Sequence, residues 1–121
     1  MARVVFIGLE EATASQIGGA LAAQRHDIQY RQQDTVMRDL VEADIVFAGG
    51  DNAEYLPLLK RVRQARPALP FVVVTRLPEV VQWLDALEAG ATDYCAAPFE
   101  MRQLQWVMES AMQGRATAGV C

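Results

Sequence analysis

The side chains that could do chemistry in this chain are few and scattered. Glu10 and Glu11 follow an apolar run, and Asp51 follows the Gly49-Gly50 pair. Carboxylates in two such loops are the only groups with a chance of gathering into an acidic, cation-holding cluster, and the simpler reading makes each of them a helix-start residue. His26 stands alone in a short loop and reads as a surface residue. Ser15 lacks the Gly-x-Ser-x-Gly elbow that exposes a nucleophilic serine. Cys95 lies inside an apparent core strand and Cys121 is the last residue, and neither belongs to a Cys-x-x-Cys or His-containing ligand pattern. Lys60, Arg61 and Arg63 point away from the apolar positions around them and read as a solvated helix face. The residues therefore predict no catalytic set, no metal site and no cofactor.

Composition narrows the partners. Hydrophobic residues make up 52% and charged residues 21% of the 121-residue chain, which suits one globular domain with its own core. A net charge of −4 gives a field that repels phosphate backbones and anionic lipid, so direct nucleic-acid binding and membrane association are not expected. The apolar run Val4 to Gly8 is too short for a signal-peptide core, and no stretch approaches a membrane span. The cysteine usage fits a reducing cytoplasm.

Whatever chemistry exists must be positioned by alternating elements. Five short runs rich in β-branched and aromatic residues recur at Val4 to Ile7, Ile28 to Tyr30, Ile45 to Ala48, Phe71 to Val74 and Tyr94 to Ala96. The first, third and fourth are continuously apolar, as in strands covered on both faces, whereas the second is polar enough for an edge. A first helix is predicted from Glu11 to Ala23 with Ala14, Ile17, Gly18 and Leu21 inward and two glycines allowing close packing. Asp34 or Thr35 would cap a second helix through Val41, and Tyr55, Leu58, Leu59, Val62 and Ala65 form the buried stripe of a third, which Pro57 holds to a start a few residues earlier. Pro78 suits the first turn of a fourth helix with an inward stripe of Val80, Leu84 and Leu87, ended by Gly90 in a left-handed cap. A fifth opens near Glu100 and turns Met101, Leu104, Met108 and Ala111 inward. Five such units predict an α/β, three-layer, doubly wound five-stranded parallel sheet of order 2-1-3-4-5 over residues 1–113, with 114–121 as a frayed tail. Its ligand crevice lies at the carboxyl ends of strands one and three. A dinucleotide there is disfavoured: Gly8 begins a fingerprint, but Glu10 and Thr13 stand where the second and third glycines belong.

The stretch Phe71-Val-Val-Val-Thr75, followed by a helix length, Ala89-Gly-Ala91, Thr92-Asp-Tyr94 and Ala97-Pro98-Phe99, resembles the last third of a response-regulator receiver domain. The resemblance extends over essentially the whole chain and implies a flavodoxin-like (CheY-like) fold and a role in two-component signalling. It places Gly49 where such domains carry the phosphoacceptor Asp, Gly8 and Leu9 where they carry the Mg²⁺-binding acidic pair, and Ala97 where they carry a Lys. Phosphoryl transfer needs a nucleophilic carboxylate, a metal to neutralise the phosphoryl oxygens and an ammonium, and these four residues supply none of them. The two switch positions are kept, a strand-end hydroxyl at Thr75 and an aromatic at Tyr94. Each also has a plain structural reading, the hydroxyl on the backbone and the ring half-buried. The resemblance further implies a cis bond between Ala97 and Pro98.

Two tryptophans suggest how such a module would work. Trp106 falls opposite the inward positions of the fifth helix, and Trp83 falls at the edge of the stripe of the fourth. The face made by the fourth helix, fifth strand and fifth helix is one that receivers use for contacts, so Trp83 and Trp106 are interface candidates for a protein partner, a fused output domain or a homodimer, unless each lies flat over a neighbouring helix. The expectation is a phosphorylation-independent, receiver-like signalling module. The alternatives are phosphorylation at a nonstandard acidic residue such as Asp51, and a small-ligand sensor using the crevice around Gly8, Gly49 and Gly50.

Overall fold

A computed structural model of the chain describes residues 2–32, 37–97 and 101–112. The elements run β1 (Arg3–Ile7), α1 (Glu11–Ala23), β2 (Asp27–Arg31), a 3₁₀ turn (Met37–Leu40), β3 (Ile45–Ala48), α2 (Asn52–Ala65), β4 (Phe71–Thr75), α3 (Val80–Glu88), β5 (Asp93–Ala96) and α4 (Met101–Met112). All strand pairs are parallel, in the order β2-β1-β3-β4-β5. The apolar runs of β1, β3 and β4 are buried on both faces because helices cover both sides. The polar β2 is an edge, where the Arg31 guanidinium folds back onto the Tyr30 carbonyl.

Alternation along each strand divides the core. Val5, Ile7, Val46 and Val73 point to one side and pack with Tyr55, Leu58, Leu59 and Val62 of α2, Ala86 of α3 and Leu40 of the 3₁₀ turn. Val4, Phe6, Phe47 and Val72 point to the other and pack with Ile17 and Leu21 of α1 and Leu104, Val107 and Met108 of α4. On that side Phe6 takes Tyr30 and Phe47 edge-on, with ring centres 5.5 and 5.9 Å away.

Helix ends follow local chemistry. Asp51 opens α2 with a capping box: its carboxylate accepts the Glu54 N–H, and the Glu54 carboxylate accepts the Asp51 N–H. Gly90, at φ 103°, closes α3 as expected, with the Gly90 and Ala91 N–H groups donating to Leu87 and Ala86 carbonyls. The same pair of bonds closes α1, where the left-handed position is held by Arg25 at φ 66° instead of a glycine. His26 is half-buried beside it and accepts the Ala2 N–H on Nδ1, which ties the start of β1 to the turn before β2.

Several expectations are corrected. Where a second helix through Val41 was expected, the described residues form a 3₁₀ turn that ends at Leu40; the proposed caps Asp34 and Thr35 lie outside the described residues, as do the Ala97–Pro98 bond and the tail. Ala65 is exposed, and a Cβ at Gly19 would meet nothing within 4 Å, so of the two α1 glycines only Gly18 serves close packing, against Tyr30 and Phe6. Arg63 is no solvated residue. Its guanidinium is half-buried and donates to the Gly90 and Leu69 carbonyls at 2.7 and 2.6 Å, joining α2 to the turns flanking β4 and β5. Helix α3 is rotated from the expected orientation: Val80 and Leu84 face solvent, while Ala86 is buried and Trp83 packs on the core.

Candidate functional site

The strand ladders bring the site residues together. Ile7 pairs with Ala48, and the Gly49 N–H donates to the Ile7 carbonyl at 2.9 Å, so Gly8 and Gly49 lie side by side just past the ends of β1 and β3. Thr75 ends β4 opposite Ala96, and the Ala97 N–H donates to the Thr75 carbonyl at 2.8 Å. A crevice of about 430 Å³ opens above these ends, lined by residues that include Gly8, Leu9, Glu10, Gly49, Gly50, Asp51, Thr75 and Arg76. Ala97 does not reach it and packs against the α1 and α4 side of the core.

At its floor the segments that follow β1 and β3 are in contact. A Cβ built on Gly49 would stand 2.8 Å from the Gly8 oxygen, 3.1 Å from Leu9 Cα and 3.1 Å from Leu9 Cδ2. Most of that obstruction is backbone, so no side chain fits at position 49 without moving Gly8 and Leu9. Gly8 adopts φ 65°, a conformation that favours glycine, and Leu9 lies over Gly49 where the resemblance places a metal ligand.

The acidic residues are committed elsewhere. Glu10, the residue before α1, pairs with Arg76 across the crevice, Oε2 to Nε at 2.9 Å, and Asp51 and Glu54 serve the α2 cap. Among the described residues, no group of three or more His, Cys, Asp and Glu could hold a metal ion. Where the resemblance places the metal-binding acidic pair stand Gly8 and Leu9, and the carboxylates that line the crevice include an ion-paired Glu10 and a capping Asp51. Arg76 escaped the sequence reading, although a cation directly after a strand-end Thr beside an acidic loop was a legible sign.

The two residues that the resemblance matches to switch positions, Thr75 and Tyr94, are also engaged. The Thr75 hydroxyl accepts the Leu77 N–H at 3.2 Å, in line with its plain structural reading. Tyr94 is buried rather than half-buried, 4% exposed, and its hydroxyl accepts the Glu79 N–H at 3.4 Å at the start of α3. Behind it Tyr55 has its phenol pKa pushed up, chiefly by burial and then by the neighbouring Tyr94, Asp85 and Asp51. On the outer face Trp106 is 47% exposed, as expected, whereas Trp83 lies against the core.

No protein-family model matches the chain. Sequence relatives do. The transcriptional regulatory protein ZraR of Salmonella typhimurium is 33% identical over 93 residues, covering 77% of this chain and 20% of that protein. The phosphate regulon transcriptional regulatory protein PhoB of Klebsiella pneumoniae is 32% identical over 82 residues, covering 68% of this chain and 35% of that protein. The chain thus spans a minor part of the curated relatives it matches. The receiver domain of NtrX from Brucella abortus superposes with a TM-score of 0.79 over 91% of this chain and 98% of that one, and at 21% identity the likeness is one of fold. No helix among the described residues is long and apolar enough to cross a membrane. Kinship in sequence over most of the chain and a fold shared over nearly all of it together support a response-regulator receiver domain of the CheY-like kind.

Proposed function

We propose that this chain is a two-component-type signalling module that works without phosphorylation and transmits its state through protein contacts, to a partner or to a fused output domain. The observation that carries this reading is the contact of Gly49 with Gly8 and Leu9, which leaves no space for a phosphoacceptor side chain at the end of β3. Asp51, the alternative acceptor, is engaged in the α2 cap, where one carboxylate oxygen accepts the Glu54 N–H. With no phosphoryl group to stabilise one conformation, only a partner that binds two conformations unequally can shift their populations. The face formed by α3, β5 and α4 supplies the contact surface, with Trp106 exposed on it. The output side follows the relatives, which are transcriptional regulators by name and much longer than this chain.

The test is intact-mass spectrometry after incubation with acetyl phosphate and Mg²⁺. The native chain and Gly49→Asp are both expected to remain at their unmodified mass. A stable gain of one phosphate by the native chain would overturn the phosphorylation-independent reading. A gain by Gly49→Asp alone would show that the floor of the crevice opens readily and that steric closure is not the reason.

A further inference from the structure

Leu77, Val80, Val81 and Leu84 are 77%, 67%, 68% and 47% exposed, and they lie together on α3 and the loop that enters it. Val80, Val81 and Leu84 share one exposed side of α3, and Leu77 adds to it from the loop before the helix. The inward face of α3 is already filled, since Ala86 is buried and Trp83 packs on the core, so the ridge cannot be buried by turning the helix. A contiguous apolar ridge in water marks an interaction surface.

Charge identifies the occupant. From Leu77 to Gly90 the chain carries Glu79, Asp85 and Glu88 and no Lys or Arg. Glu79 and Glu88 are exposed near the two ends of the ridge, and the cation that precedes it, Arg76, is paired with Glu10. We infer that the α3 ridge docks a basic amphipathic helix of a partner protein, an inference that rests on reading the chain as a protein-contact module. A helix suits the ridge because Val80–Leu84 is an i, i+4 row of α3, the kind that interdigitates with another helix, and Leu77 extends it from the loop. A basic one suits the rim. A second copy of this chain would set acidic rim against acidic rim between molecules of net charge −4, and an anionic lipid surface would be repelled in the same way.

The experiment uses two labelled helical peptides with the same leucine positions, one carrying lysines and the other glutamates, titrated with the full chain by fluorescence anisotropy. The lysine peptide is expected to bind, less tightly as salt is raised, and the glutamate peptide is not. Val81→Lys and Leu84→Lys should each weaken lysine-peptide binding by at least about tenfold without lowering Tm, because both positions are exposed. Val41→Lys adds the same charge at an exposed apolar position elsewhere and should change affinity by less than about twofold. Equal binding of both peptides, or equal loss in all three variants, overturns the assignment. So does sedimentation showing a dimer that the two α3 variants dissociate, which would make a second copy the occupant. Phosphate uptake is read separately by mass, so failure here leaves the phosphorylation test standing.

Discussion

Gly49 and Gly19 differ in what surrounds the missing Cβ, and that difference can be measured. Gly49→Ala pushes a methyl against the backbone of Gly8 and Leu9 and should cost about 1–3 kcal/mol of unfolding free energy. Gly19→Ala fills open space on an exposed turn of α1 and should stabilise the fold by up to about 1 kcal/mol through helix propensity. Urea unfolding of the two variants checks the pair, and a neutral Gly49→Ala would show that the strand ends separate easily. The types of these residues were readable from the chain, since the resemblance set a glycine at 49 and a leucine at 9 against positions where carboxylates were expected. Their contact was not. It depends on the spacing of two strand ends that are far apart in sequence, and no local pattern encodes it.

Among the elements, the strands were the most legible, because β-branched runs without polar breaks have few other ways to satisfy their burial. The polarity of β2 likewise identified an edge. Helix α3 was misread for a physical reason: an apolar stripe signals burial without saying whether the domain or a partner provides it, and here Ala86 and Trp83 took the inward face. Arg63 was misread in a similar way. Charge on a helix usually means solvent, yet a guanidinium carries several donors that can satisfy carbonyls at element ends, and here it reaches those of Gly90 and Leu69. Burial lowers its pKa, and these bonds, with a further one to the Thr92 hydroxyl, make its position tolerable. Arg63→Ala should therefore cost about 2–4 kcal/mol, and Arg63→Lys should recover only part of that, since an ammonium cannot span the same acceptors. Chemical denaturation measures both, and a loss within about 0.5 kcal/mol for Arg63→Ala would return the residue to the solvated face that its sequence suggested.

For the molecule as a whole, the topology followed from the order of elements, since right-handed crossovers leave few sheets open to five βα units. The stability of that whole should respond to alkali through Tyr55. Its phenol pKa is raised in the folded state, so the folded chain holds this proton more tightly than the unfolded chain does. The associated stability is fully present below the ordinary tyrosine value of about 10 and is lost as pH climbs from there towards the folded value. The slope from this one group is about 1.4 kcal/mol per pH unit. Unfolding free energy measured on either side of pH 10 should show the decline, and Tyr55→Phe should remove that part of it. An unchanged slope in Tyr55→Phe would assign the alkaline transition to other groups.

The seating of Gly49 on Gly8 and Leu9 also bears on which substitutions the crevice accepts. A side chain at position 49 carries a packing cost, because the Gly8 oxygen and Leu9 stand where its Cβ would sit. That cost falls only if the backbone at positions 8 and 9 withdraws, so the three positions are coupled and a change at one alters what the others tolerate.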